Sequence, residues 1–332
     1  MDMKKKLLLS MILLALCLIQ ASADTYYFKI QLSNADGTPG AWSNYIKVDA
    51  VPDGVDANGK TKYKYPNGLR TLLNGEAVTD ENKKNSYTLP KKADNNEEVD
   101  LDRIYGIAFA NGKGKDNNSA QQNIMEGDEY DAWVKIREHI KYLDLHYYQR
   151  DKYTDKSYCM DMHKVEELEL PKDGMKVGNG DLDCNMYFAN ADNLKKITID
   201  YVDITDDVVK DKFLLDRVGK YMFSNCYSLS TKYINRLIKN VTAEIKDNAF
   251  SVDKGNRDKF SDDADNKMAI EIPSSVTKIG SRAFYNRVKV TGLKIQGNDG
   301  LEIGSEAFRG CEQLNALNLD NAKITYLGTG VF

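Results

Sequence analysis

The sequence predicts a solenoid of stacked repeats, built from short parallel strands with helical or 3-10 turns and preceded by a small β-rich region. Residues 279–284, Ile-Gly-Ser-Arg-Ala-Phe, recur at 303–308 as Ile-Gly-Ser-Glu-Ala-Phe, and the pattern begins again at 327. Its phenylalanines recur every 24 residues, a period typical of units that bury their apolar face only against their neighbours. Within one unit, helical apolar spacing at 307–314 changes to strand alternation at 317–319.

A column of large apolar residues extends this pattern towards the N-terminus, with insertions between some units. We expect its members to share one interior, and Ile197, Leu293 and Leu317 to lie in one ladder of strands. Gly280, Gly304 and Gly328 form a second column. It predicts a close approach of successive backbones, with a surface turn as the alternative. The first column consists of Val134, Cys159, Phe188, Phe223, Phe250, Phe284, Phe308 and Phe332.

The first 23 residues have the form of a signal peptide, with lysines at 4–6, an apolar run at 7–19 and small residues before a cleavage predicted after Ala23. No later run of 18 apolar residues follows. We therefore expect a secreted or cell-surface protein with no membrane span in the mature chain.

Charge and composition favour an extracellular binding protein. The chain carries a net charge of −4, and removal of the three lysines and one aspartate of the signal segment leaves −6. No basic stripe is present, so we expect no nucleic-acid partner. The chain has twenty tyrosines and two tryptophans, and such a tyrosine-rich composition is common in extracellular binding proteins.

Residues 24–127 do not repeat and predict a β-rich region that acts as a possible cap on the solenoid. Strands are predicted at 26–32, 45–48 and 104–109, and mobile loops at 76–99 and 110–123. Residues 54–61 match the phosphate-binding pattern G-x-x-x-x-G-K-T. Strand-like alternation rather than a helix follows the lysine, so we expect a hairpin turn there.

Residues 128–332 form the predicted solenoid. Its longer units contain a predicted helix at 205–217, a helical piece at 233–238 and a charged loop at 251–267. The sequence stops at Phe332, a core position, which leads us to expect a solenoid truncated at its C-terminal end.

The repeat motif resembles the BspA-type leucine-rich repeat of bacterial surface proteins over roughly residues 130–332. The resemblance implies a leucine-rich repeat solenoid in a secreted or surface-exposed protein of host-associated bacteria. It also implies, for some members, adhesion to host matrix proteins or to other bacteria. It is carried by residues 272–280, Ala283, Phe284, Phe308, Cys311, Leu314, Leu317 and Leu319.

Four cysteines follow the signal segment: Cys159, Cys184, Cys226 and Cys311. Cys226 and Cys311 share a column but stand about three coils apart, roughly 14 Å at the spacing of stacked strands, which is too far for a disulfide. Cys159 and Cys184 are out of register. We therefore predict four unpaired, mostly buried thiols.

The sequence gives little support for catalysis, so we expect no enzyme, no metal and no cofactor. The three histidines are His139, His146 and His163. Cys159 and His163 are four residues apart, but their columns point inward and outward, respectively. The remaining ligands of a zinc site are missing.

The strand face is the predicted binding surface. The middle residue of each repeat strand is expected to point away from the core, so that these residues form a polar stripe. Tyrosines and a histidine beside it offer aromatic contact area at low entropic cost. The alternative is that these tyrosines only cover the edge next to the N-terminal region. The stripe consists of Asp144, Glu169, Thr198, Glu271, Lys294 and Asn318, and its neighbours are Tyr142, His146, Tyr148 and Tyr201.

These observations predict an adhesin-like binding protein that recognises a host or bacterial surface protein or a glycan through the solenoid strand face. One alternative is an enzyme whose activity lies in residues 24–127, for which a pocket with convergent polar groups would be needed; we expect none there. Another is a structural spacer between the cell surface and a missing C-terminal domain.

Overall fold

The computed structural model describes residues 25–59, 61–111, 128–148, 159–175, 177, 186–260, 263–319 and 322–332. The predicted signal peptide and Cys184 lie outside these ranges. Helices are α1 (Leu69–Leu73), α2 (Asp128–Arg137) and α3 (Thr231–Ile238), with 3-10 turns at Leu101–Arg103, Asp207–Val209 and Lys254–Lys259. The strands are β1 (Thr25–Ser33), β2 (Pro39–Trp42), β3 (Ile46–Asp49), β4 (Val51–Val55), β5 (Thr61–Lys64), β6 (Val78–Thr79), β7 (Ser86–Tyr87), β8 (Ile104–Asn111), β9 (Tyr142–Tyr147), β10 (Glu167–Glu169), β11 (Lys196–Ile199), β12 (Val202–Asp203), β13 (Glu244–Ile245), β14 (Ala269–Ile272), β15 (Lys278–Ile279), β16 (Gly292–Ile295), β17 (Asn298–Ile303), β18 (Ala316–Asn318) and β19 (Ala322–Leu327).

An eight-stranded sheet joins the N-terminal region to the first repeats. Its order is β12-β11-β10-β9-β8-β1-β2, and β3 pairs with β1. Strand β8 lies antiparallel to β1 and parallel to β9, so the N-terminal strands continue the ladder of repeat strands. The same body of buried apolar side chains extends from Tyr26 to Val331.

The predicted phenylalanine column is confirmed from Phe188 onwards. Successive rings stack with centroids 5.1–6.1 Å apart. The N–H of each phenylalanine donates to the carbonyl just before the next phenylalanine, at 2.8–2.9 Å. The rings from Phe188 to Phe308 are buried, whereas Phe332 is exposed. Val134 is wrongly placed in this column: it is half-buried on α2, where Trp133 supplies the buried ring.

Later repeats pair their strands in parallel, one unit after the next, in two ladders: β13-β15-β17-β19 and β14-β16-β18. Leu293 pairs with Leu317 as expected, but Ile197 lies in the eight-stranded sheet, so the prediction of one ladder is wrong. Helix α3 stands between the two sheets. Its Tyr233 hydroxyl donates to Asp203 in β12, and its Asn235 side chain bonds to Ala269 O at the edge of β14. A helix directs its N–H and C=O groups along its own axis, so α3 does not continue the strand ladder.

Packing explains the glycine column. A Cβ on Gly304 would lie 2.5 Å from Ser281 N, and one on Gly280 or Gly328 would lie 2.4 Å from the backbone of the preceding coil. None of the three has a positive φ. The predicted close backbone approach is therefore confirmed, and the surface-turn alternative is not needed.

Cysteine and arginine side chains satisfy carbonyl groups at the turns. Cys226 Sγ donates to Phe188 O at 3.2 Å, and Cys311 Sγ donates to Phe284 O at 3.4 Å. Burial raises the pKa of both thiols to about 12. Arg287, in the same column, donates from Nε to Phe250 O at 2.8 Å. The prediction of unpaired buried thiols is confirmed for Cys226 and Cys311, and Cys159 is buried as expected.

Two other expectations are corrected. The helix predicted at 205–217 is only the 3-10 turn Asp207–Val209. Within the predicted helix, the carbonyl groups of Val209 and Lys212 accept hydrogen bonds from the Arg236 side chain of α3. The predicted loop at 76–99 contains the β6-β7 hairpin, anchored by the buried Val78. The hairpin predicted in place of a phosphate-binding loop is confirmed as β4-β5.

Candidate binding site

The outward side of the first repeat strands carries a row of buried polar residues. Asp144, Glu169 and Thr198 pair across β9, β10 and β11, as predicted. They point away from the repeat core, yet they are only 4%, 0% and 2% exposed. The expectation of a solvent-exposed stripe is therefore wrong at these positions, because other side chains cover them.

Tyr201 and His146 cover the two carboxylates. His146 Nδ1 donates to Glu169 Oε1 at 3.0 Å, and the His146 backbone N–H donates to Asp144 Oδ1 at 2.9 Å. The Tyr201 N–H donates to both oxygens of Glu169 at 3.2 Å, and the Tyr201 hydroxyl donates to Asp144 Oδ2 at 3.4 Å. The Tyr201 ring stacks on His146 with centroids 4.7 Å apart. The four groups thus form one hydrogen-bonded cluster.

A tight turn between β11 and β12 holds Tyr201 in place. The turn residues Asp200 and Tyr201 have φ values of +51° and +60°, the positive values that a two-residue type I′ turn requires at both positions. Glycine or asparagine normally occupies such positions, and a bulky residue there is strained. Tyr201 is 55% exposed, so the strained turn places an aromatic ring at the surface.

The N-terminal region supplies the other wall of the site. The Lys29 ammonium lies 5.2 Å from the Trp42 ring centroid and 4.8 Å from that of Tyr45. Trp42 packs edge-on against Tyr142 at 5.9 Å. Trp42 and Tyr142 meet above Gly106, where an added Cβ would lie 3.2 Å from the Trp42 ring. These residues together form a surface that we name the junction face. It consists of Lys29, Trp42, Tyr45, Tyr142, Asp144, His146, Glu169, Thr198 and Tyr201.

Burial governs the electrostatics of the junction face. It raises the pKa of the Asp144 carboxyl, and the His146 N–H and the charge of Lys29 oppose that rise. It also raises the pKa of Glu169, against hydrogen bonds that favour the ionised form. The pKa of Lys29 is lowered by burial, and the charge of Asp144 opposes this. The pKa of Tyr201 is raised by burial and then by Asp144, so its hydroxyl stays a hydrogen-bond donor at neutral pH.

The remaining predicted site residues lie elsewhere. Glu271, Lys294 and Asn318 pair across β14, β16 and β18 as expected, and they are exposed. Lys294 Nζ lies 3.6 Å from Glu271 Oε1. This second row belongs to a different sheet from the junction face, so the stripe is interrupted. Tyr148 is half-buried and packs against the apolar core instead of the junction face.

Sequence reasoning missed Lys29, Trp42 and Tyr45. Alternation in β1 places Lys29 opposite the buried Phe28 and Ile30, so its outward direction was readable. The approach of Lys29 to Asp144 was not readable, because it depends on β8 pairing with both β1 and β9.

The N-terminal region also contains a cavity of about 510 Å³, contrary to expectation. Its lining includes Asp102 and His139, whose Nδ1 lies 2.8 Å from Asp102 Oδ1. Lys164 Nζ bonds to the same carboxylate at 2.6 Å and lowers its pKa to about 2, together with His139. Asp102 is therefore already held by two basic groups.

Among the described residues, no group of three or more histidine, cysteine and carboxylate side chains is placed to hold a metal ion. In that part of the chain, no helix has the length and apolar character needed to cross a bilayer.

Comparison with known proteins identifies the repeats and little else. No curated protein and no solved structure matches the chain. The model of the BspA type leucine rich repeat region, which comprises six copies, matches residues 156–261 and 260–332. Proteins of this family are typically secreted or surface-exposed. Together with the stacked phenylalanines, this match shows that the chain belongs to the BspA-type leucine-rich repeat family.

Proposed function

We propose that the protein is a secreted or cell-surface, adhesin-like binding protein. It recognises a surface protein or glycan of the host or of another bacterium through the strand face of a leucine-rich repeat solenoid. Its binding site is the junction face. The observation that carries this proposal is the burial of Asp144 and Glu169 on the outward side of the sheet.

Burying these two carboxylates costs stability. An ionised group removed from water is costly unless it is paired, and perturbed carboxylates cluster at functional sites. Within the described residues, Asp144 has no lysine or arginine within ion-pair distance, and Glu169 has only His146 as an ion-pair partner. The Glu271 and Lys294 pair on the second row is exposed, so it lacks this cost.

Aromatic residues give the junction face its contact area. Tyr201 is exposed, and Trp42, Tyr45 and Tyr142 are half-buried. Such side chains provide large contact surfaces with few rotatable bonds, which is why they dominate recognition surfaces. Residues 25–155, which contribute Trp42 and Tyr142, lie outside the family match, whereas Glu169 and Tyr201 lie inside it, so the junction face combines repeat residues with residues outside the repeats.

Binding to purified host matrix proteins and to a glycan array tests the proposal. We expect at least one ligand whose binding is lost in Trp42→Ala and in Tyr201→Ala. The matched control is Lys294→Ala on the exposed second row, which is expected to bind as the wild type does. If binding is instead lost in Lys294→Ala and kept in the other two variants, the second row is the site and the junction face is not.

A second candidate is an enzymatic activity in residues 24–127, favoured by the cavity beside Asp102. Turnover of a panel of glycoside and ester substrates that is lost in Asp102→Asn would support it. A protein that neither binds nor turns over any of these compounds would leave the spacer role.

A further inference from the structure

The junction face already holds one ammonium group. Lys29 Nζ lies within about 5 Å of the Trp42 and Tyr45 ring centroids, a distance at which a cation is attracted to the face of an aromatic ring. In the register of the sheet, Lys29 faces Ala108, and Ala108 faces Asp144. Residues that face each other in neighbouring strands point to the same side of the sheet. Lys29 and Asp144 therefore lie on one side, with only the methyl group of Ala108 between them.

Two other lysines near this face are paired with carboxylates. Lys196 Nζ lies 2.7 Å from Glu167 Oε1, and Lys212 is paired with Asp200. Among the described residues, the basic groups that act on Asp144 and Glu169 are Lys29 and the imidazole of His146. Burial raises the pKa of both carboxyls, which agrees with an incomplete balance.

Tyrosine rings separate these charges from solvent. The Tyr201 ring lies over His146 and its hydroxyl reaches Asp144, while most of its surface is exposed. A cation on the outer face of this ring meets the negative ring face first, with His146 and then the two carboxylates behind it. A neutral sugar hydroxyl gains little from the second of these attractions.

From this arrangement we infer that the junction face binds a basic side chain, arginine or lysine, presented by a partner protein. The inference rests on the proposed function, of which it specifies the partner chemistry. Charge complementarity favours such a partner over a neutral glycan.

The test uses the intact protein and a tetra-arginine peptide with blocked ends. Trp42 is half-buried at the site, whereas Trp133 is buried, so acrylamide quenching of tryptophan fluorescence reports on Trp42. We expect the peptide to protect Trp42 in a saturable way. Its affinity should fall about fivefold or more between about 50 and about 300 mM salt, because exposed charges are screened.

Variants separate the contributions of the ring and the carboxylate. Asp144→Asn is expected to weaken peptide binding about tenfold, and Tyr201→Leu about fivefold or more, whereas Tyr201→Phe keeps the ring and most of the affinity. Glu271→Gln, on the exposed second row, is the control and leaves binding unchanged. If Asp144→Asn fails to fold, the Leu and Phe variants at Tyr201 make the same distinction.

Neutral trisaccharides and a tetra-glutamate peptide complete the experiment. Protection of Trp42 by a trisaccharide without protection by tetra-arginine overturns the inference and leaves the proposed function standing. Equal binding of tetra-arginine to the wild type and to Tyr201→Leu overturns it as well. If neither the panel ligands nor these probes depend on Trp42 or Tyr201, the proposed function fails together with the inference.

Discussion

Replacing Tyr201 by alanine and by glycine separates the strain in its turn from the contacts of its side chain. Both variants remove the ring that stacks on His146 and the hydroxyl that reaches Asp144. Both keep the backbone N–H that donates to Glu169. Only glycine relieves the left-handed conformation at φ +60°.

The expected magnitudes follow from these contacts. The ring stack is worth about 0.5–1.5 kcal/mol, and the lower value applies because Tyr201 is half-exposed. Tyr201→Ala loses this stack and also the hydroxyl's hydrogen bond to Asp144, worth about 0.5 kcal/mol, and it keeps the strain. It is therefore expected to be about 1 kcal/mol less stable than the wild type. Tyr201→Gly recovers roughly 1–2 kcal/mol of conformational strain, less about 0.5–1 kcal/mol for glycine's greater freedom when unfolded. Its stability should therefore lie close to that of the wild type.

Urea unfolding followed through the buried Trp133, together with the Trp42 quenching assay, checks both parts. We expect Tyr201→Gly to be about 1 kcal/mol more stable than Tyr201→Ala, with ligand binding weakened in both. A glycine variant less stable than the alanine variant would refute the strain argument. Unchanged binding in both variants would refute the role of Tyr201 in the site.

Three further predictions concern the fold and the buried charges. Phe284→Ala is expected to lower the free energy of unfolding in urea by about 3–5 kcal/mol, because the buried Phe284 ring stacks on two neighbours. The control, Lys294→Ala, should lower it by less than about 0.5 kcal/mol. Equal losses of stability would mean that the inward and outward faces are reversed. Gly304→Ala should cost about 1–3 kcal/mol because its Cβ meets backbone, whereas Gly255→Ala, with open space, is the control; equal stabilities would contradict the packing argument. The raised pKa of Asp144 means that the folded state binds its proton more tightly than the unfolded chain does, so this carboxyl destabilises the fold as pH rises from about 4 through the raised value. Asp144→Asn should therefore raise the Tm at pH 7 and not at pH 3, and a lower Tm at pH 7 would contradict this.

The repeat part of the fold was predictable because its signal is periodic. Phe284 and Phe308 stand 24 residues apart in sequence and one coil apart in space, so spacing alone identified the stacked column and the glycine approach beside it. The same rule misplaced Val134, because the first unit forms the three-turn helix α2, whose buried face is set by Trp133.

The candidate binding site was only half predictable, for a different reason. Alternation identified Asp144, Glu169 and Thr198 as outward residues, and the register of β9, β10 and β11 agrees. Their burial depends on His146 and Tyr201, and the approach of Trp42 to Tyr142 beside them depends on the pairing of β2 with β1, β1 with β8 and β8 with β9. Nothing local in the sequence encodes that strand order, because it is fixed by tertiary packing.

Comparison of the two outward rows supports the proposal that recognition takes place at the first. Both rows occupy the same place in the repeat and carry charged residues. On β14 and β16 the charges of Glu271 and Lys294 are exposed and pair with each other, an arrangement worth little to stability and easily exchanged for water. On β9 and β10 the same place holds Asp144 and Glu169, buried beneath residues that the N-terminal region and a strained turn bring there. A repeat protein that needed only to stack its coils would gain stability by leaving these positions in water or filling them with apolar side chains. The loss of stability from burying Asp144 and Glu169 therefore supports binding at the junction face, where residues outside the family repeat meet the repeat strands.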